Sequence, residues 1–82
     1  MFWSAQKDAW LRGNRNLSFE RVKAEIDAGR FVGPEDNPSR PGQKRVVVRI
    51  DGYPVTVPFV VMEGGGWFLK TAYHDRKMKG RI

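Results

Sequence analysis

The spacing of apolar and polar positions changes once along the chain, near residue 31. Before that point it is helical. Ala5, Ala9 and then Trp10 or Leu11 recur behind Ser4, and Gly13-Asn14 offers a stop, which predicts a short helix over about residues 5–12. Ser18 supplies a second N-cap and Glu20 suits the positive end of the helix dipole. Phe19, Val22 and Ile26 line one face before Gly29, predicting a helix over about residues 19–28. Neither start has the Glu or Gln that completes a capping box, because Lys7 and Arg21 stand there.

After residue 31 the pattern is that of strands. Gly33-Pro34 and the run Asn37 to Gly42 are turn chemistry, so Phe31-Val32 is at most a short strand. Arg45 to Ile50 and Tyr53 to Met62 flank Asp51-Gly52, a pair that favours the positive φ angles of a two-residue hairpin. That turn sets the register: Ile50 faces Tyr53, Val48 faces Val55 and Val46 faces Val57, with Arg45 and Arg49 on the other side. Pro54 and Pro58 lack N–H groups and point away from this partner, so the ladder beyond them must be incomplete. Gly64-Gly65-Gly66 leads into a last strand from Trp67 to Tyr73. The expected architecture is α+β, two N-terminal helices packed on an antiparallel sheet of about three to four strands, in a single domain over residues 1–82.

Composition narrows the chemistry. The chain of 82 residues has no cysteine and one histidine, which leaves a zinc site, a Cys-His pair and a two-histidine nuclease mechanism without support. Gly64-Gly65-Gly66 runs into Trp67 and is no phosphate-binding P-loop. The apolar run from Tyr53 to Met62 is too short to span a bilayer, and Met1-Phe2-Trp3 lacks a signal-peptide layout, so the expected setting is cytoplasmic, away from the membrane. The net charge of +6 sits at the ends: Lys7, Arg12 and Arg15 against Asp8, and Lys70, Arg76, Lys77, Lys79 and Arg81 against Asp75. Concentrated positive charge beside aromatics points first to nucleic acid.

The segment Phe68 to Lys77 is the strongest candidate for chemistry. Alternation along one unbroken strand places Lys70 and His74 together on the solvent face beside Arg45 and Arg49, with Leu69 in the core. Such a patch suits RNA cleavage, in which the ribose 2′-hydroxyl is the nucleophile and fixed cations stabilise the phosphorane. Lys70, Arg76 and Lys77 are then the phosphate-binding catalytic candidates and His74 or Tyr73 the proton carrier. Arg45, Arg49, Lys79 and Arg81 extend the RNA track. No cofactor or metal is expected. Trp3, Trp10 and Trp67 read as core or partner-interface anchors.

Phe2-Trp3, the lysine-bearing first helix, the Ser18-Phe19-Glu20 opening of the second, and Leu69-Lys70-Thr71 followed by Arg76-Lys77 resemble the BrnT-type toxins of the RelE superfamily. Asp51-Gly52-Tyr53, Val57-Pro58-Phe59-Val60 and Phe68-Leu69-Lys70-Thr71 resemble small toxins found beside CopG-type antitoxins. The resemblance implies a RelE-like fold, metal-independent RNA cleavage that inhibits translation, and neutralisation by a ribbon-helix-helix antitoxin. Size and charge add the expectation that this antitoxin brings an acidic, amphipathic segment to Arg76 and Lys77. The alternative is a nucleic-acid-binding or regulatory module of the same fold without catalysis.

Overall fold

The computed structural model describes residues 1–82. Two helices, α1 (Ala5–Arg15) and α2 (Phe19–Asp27), precede five strands: β1 (Val32–Asp36), β2 (Lys44–Ile50), β3 (Tyr53–Val61), β4 (Trp67–Leu69) and β5 (Tyr73–His74). The helices pack on one face of an antiparallel sheet of order β1-β2-β3-β4, and β5 also pairs with β3. The fold is α+β, with more strands than the sequence pattern predicts.

Both expected N-caps form. Ser4 Oγ accepts from the Lys7 N–H at 3.1 Å and Ser18 Oγ from the Arg21 N–H at 3.2 Å. Helix α1 runs past Gly13-Asn14 and stops at Asn16, whose φ of 54° is left-handed and whose N–H bonds the Leu11 carbonyl. Asn tolerates that conformation better than most residues, so the stop lies three residues beyond the glycine. The second helix start has a further cap from outside: Asp8 of α1 accepts from the Phe19 N–H at 2.8 Å and from Arg12 Nε at 2.8 Å. Burial works to raise the Asp8 carboxyl, but the Phe19 N–H and the Arg12 guanidinium outweigh it and hold it below the usual carboxylate range.

The Asp51-Gly52 turn has the positive φ values, 53° and 77°, that its sequence demands. The register is as the turn dictates, with Ile50 opposite Tyr53, Val48 opposite Val55 and Val46 opposite Val57. These valines join Leu11, Leu17, Phe19, Val22, Phe59, Leu69 and Ala72 in the core between helices and sheet. Trp3 packs against Phe19 and Trp67 stacks on Phe59, while Trp10 remains 42% exposed.

Two strand expectations are corrected. The segment after Phe31 is a full strand, β1, paired with β2 through a register shift between Val32 and Glu35. Gly33 sits in that irregularity at φ 100°, where a Cβ would lie 3.0 Å from the Arg45 carbonyl oxygen, so only glycine lets the backbones meet. The last strand is broken. Between the paired positions Phe59↔Leu69 and Val55↔His74, four steps along β3 face five along the other strand, leaving one extra residue. The break falls where Pro54 and Pro58 offer carbonyls but no N–H: Lys70 and Asp75 each donate a backbone N–H to one of those carbonyls at 2.9 Å, and residues 70–72 arch between them.

Candidate functional site

The extra residue decides which side chains share a face. It returns Ala72 to the core beside Leu69 and reverses the alternation beyond it. His74 stands opposite Val55, on the helix side, and Tyr73 stands opposite Thr56, on the far side with Arg45 and Arg49. The expectation that Lys70 and His74 emerge together is therefore corrected: Lys70 shares a cleft with Tyr73, and His74 is on the other face.

Lys70, Thr71 and Tyr73 form one wall of a cleft of about 380 Å³, whose other lining residues are Asn37, Ser39, Arg40, Gln43 and Pro58. The opposite wall is the loop joining β1 to β2, and it is stitched internally. Buried Asn37 accepts through its side chain from the Ser39 N–H at 3.1 Å, its backbone N–H donates to the Gln43 carbonyl at 3.0 Å, and the Gln43 N–H donates to the Arg40 carbonyl at 3.1 Å. The loop so held presents Ser39 and Arg40. The cleft thus contains two cations, three hydroxyls and two amides, and no carboxylate.

Tyr73 is half-buried, and burial followed by the nearby Asp75 charge pushes its phenol above the ordinary value, against the opposing pull of Arg45. It is a proton donor throughout the neutral range. The arch is gripped from the helix layer by Arg15, whose guanidinium donates to the Ala72 carbonyl at 2.9 Å and to Thr71 Oγ1 at 3.4 Å. Sequence reading assigned neither Arg15 nor Arg40 a role; both act through contacts the linear pattern does not carry.

The remaining candidates lie elsewhere. The C-terminal segment crosses the same sheet face from β3 to β1, with a short 3-10 helix at Arg76–Met78. Thr56 Oγ1 donates to Asp75 at 2.8 Å, Arg49 donates to the Ile82 carbonyl, and Arg81 bonds Glu35 at 2.5 Å. Glu35 also accepts from Arg45 at 2.7 Å. The Arg81 and then the Arg45 hydrogen bonds lower the Glu35 carboxyl to about 2. Arg49 and Arg81 are accordingly engaged in holding this C-terminal strap to the sheet, and Arg45 in holding Glu35, the carboxylate that Arg81 meets. Arg76 and Lys77 are exposed, make no ion pair and do not line the cleft. Lys79 lies over the Tyr53 ring at 5.1 Å, and His74 meets the same ring edge-on at 5.7 Å in a separate groove with Arg15, Asn16 and Asp51. Nowhere does the fold gather three His, Cys, Asp or Glu side chains in a metal-ligating group. No helix is long and apolar enough to cross a membrane. Comparison of the chain with protein-family models, with curated proteins and with solved structures finds no match.

Proposed function

We propose that this chain is an endoribonuclease acting at the cleft between the residue 37–43 loop and the residue 70–73 arch, and that it serves as the toxin of a toxin–antitoxin pair. The observation that carries the cleavage reading is the cleft's lining. Arg40 and Lys70 supply positive charge, Ser39, Thr71 and Tyr73 supply hydroxyls, and no carboxylate competes for them. Such a surface attracts a phosphodiester and stabilises the charge that grows on phosphorus.

In this reading the ribose 2′-oxygen attacks the adjacent phosphorus and the bond from phosphorus to the 5′-oxygen breaks, leaving a 2′,3′-cyclic phosphate and a 5′-hydroxyl. Tyr73, held protonated, donates to the departing 5′-oxygen and is reprotonated by water. The 2′-hydroxyl proton leaves to solvent, which reaches the open cleft. Lys70 and Arg40 hold the non-bridging oxygens. The RNA brings its own nucleophile, so the reaction needs no metal-activated water. The toxin role and the ribbon-helix-helix antitoxin rest on the resemblance of Phe68-Leu69-Lys70-Thr71 and its companions to toxin sequences. An acidic antitoxin segment would find its counter-charges on Arg40, Lys70, Arg76 and Lys77.

Purified protein incubated with a 5′-labelled single-stranded RNA tests the reading. Products ending in 2′,3′-cyclic phosphate, reduced about 100-fold or more in Tyr73→Phe, are expected. RNA left intact by the folded native protein refutes it. The lack of imidazole or carboxylate in the cleft favours one second reading, a nucleic-acid-binding module without cleavage. Salt-sensitive binding with uncut RNA would select it.

A further inference from the structure

Two aromatic side chains, Phe2 and Phe68, share the sheet face on which the cleft opens. Phe2 joins the edge of β4 through its backbone, its N–H donating to the Trp67 carbonyl and its carbonyl accepting from the Leu69 N–H, both at 2.8 Å. It thereby pairs with Phe68. Paired residues send their side chains to one face, so Phe2, Phe68 and Val60 opposite Phe68 stand together, whereas Trp67 and Leu69 turn to the core. The Phe2 ring lies against Gly66, where a Cβ would come within 3.2 Å of it, and remains 54% exposed. Phe68 is half-buried, and Lys70 Nζ lies 5.5 Å from its centroid. Lys70 is therefore shared: it lines the cleft and borders the Phe68 ring.

A ring left in water forfeits the burial that would stabilise the fold. Trp10 is also exposed, but Lys7 and Arg15 already lie over it at 4.3 and 4.8 Å. No side chain stacks on the Phe2 ring in that way. Cations that track a phosphate backbone with aromatic rings beside them make up the combination that holds single-stranded nucleic acid, because every base has a face to stack.

We infer that Phe2 and Phe68 form a stacking subsite for an unpaired base of the RNA whose backbone lies in the cleft. This rests on the reading of the cleft as an RNA site and specifies its substrate class as single-stranded. A duplex keeps its bases stacked on one another and has no face to offer the rings. The apolar pair positions a base, and Lys70 between pair and cleft fixes where the next phosphate falls.

Two labelled oligomers of equal length and charge test the subsite: 2′-O-methyl oligoadenylate, which the proposed chemistry cannot cut, and its abasic counterpart. Fluorescence anisotropy should show the adenylate bound about tenfold more tightly than the abasic backbone. Phe2→Leu should remove most of that preference while leaving the abasic affinity unchanged, and Phe2→Trp should keep or widen it. Phe68→Leu should act like Phe2→Leu, with circular dichroism confirming its fold; the Phe2 pair carries the test if that variant unfolds. Equal affinity of the native protein for the two oligomers, binding of neither, or a preference that survives Phe2→Leu overturns the inference, and the rings are then surface for a protein partner. Failure of the cleavage reading looks different: base preference with uncut RNA keeps the subsite on a binding module, whereas cleavage without base preference keeps the cleft and removes the subsite.

Discussion

The sheet face turned away from the helices has two halves, both rich in cations, and they differ in what those cations meet. Under the C-terminal strap, Arg45 and Arg81 converge on Glu35 and Arg49 holds the Ile82 carbonyl. In the cleft beside it, Arg40 and Lys70 have hydroxyls and amides for neighbours and no carboxylate. A cation whose counter-ion comes from the fold stabilises the fold. One without a counter-ion is left to attract a ligand, and a count of basic residues along the chain does not separate the two.

Charge reversal in each half gives the largest effect. Lys70→Glu should lower RNA cleavage by about 100-fold or more, since it places a negative charge where the phosphorane forms, with unfolding free energy within about 0.5 kcal/mol of native. Arg81→Glu should do the opposite. It sets a second carboxylate beside Glu35 and should lower the urea midpoint, while the folded fraction cuts RNA within a few-fold of native. Urea unfolding and cleavage measured on the same preparations check both. Loss of cleavage in Arg81→Glu at unchanged stability would merge the two halves into one site.

The two halves were not equally legible in the sequence. The helix caps at Ser4 and Ser18, the Asp51-Gly52 turn and the pairing of Val46, Val48 and Ile50 all follow from local chemistry, and all form as read. The prolines foretold a defect beside β3, but its form depended on contacts remote in sequence. Arg15 takes the Ala72 carbonyl from across the molecule, and the extra residue exchanges the faces of Tyr73 and His74. Strand alternation assumes an unbroken ladder and so placed His74 with Lys70. The strap was hidden for a related reason. Gly33-Pro34 read as a turn, which concealed β1, and with it Glu35, the partner that engages Arg45 and Arg81. Arg40 reached the cleft through a loop whose shape is set by the Asn37 side chain.

An acid titration isolates the strap. The Glu35 carboxyl is held at about 2, first by Arg81 and then by Arg45, against 4.5 for an ordinary glutamate. Its folded value is depressed, so its contribution to stability is complete above about pH 4.5 and is lost as the pH falls through the interval toward 2. Asp8, Glu25 and Asp51 are lowered as well and weaken the native protein in the same direction. The gap between native protein and Glu35→Gln removes their share. With the side chain 30% exposed, that gap should be about 1 kcal/mol near neutrality and close as the pH approaches 2. Urea midpoints at a series of pH values measure it, and a gap independent of pH would deny Glu35 its two-arginine anchorage.

The smallest effect belongs to Arg76 and Lys77. They are exposed on the 3-10 helix of the strap, yet neither has an ion-pair partner and neither lines the cleft. What fixes that helix does not use the Arg76 and Lys77 side chains: Met78 is buried, and Asp75 caps the turn by accepting from the Lys77 N–H at 3.2 Å while Thr56 donates to it. A backbone N–H survives replacement of its side chain. Arg76→Gln with Lys77→Gln should therefore shift unfolding free energy by less than about 0.5 kcal/mol. Their charges still contribute to the field around the cleft, so RNA association should slow modestly at low salt, with native and variant rates converging once the Debye length falls to about 3 Å near 1 M salt. Stopped-flow association across a salt series measures this. A loss of cleavage comparable to that of Lys70→Glu, persisting at high salt, would mean that these two side chains bind the scissile phosphate directly and that the strap closes over the cleft when RNA is bound.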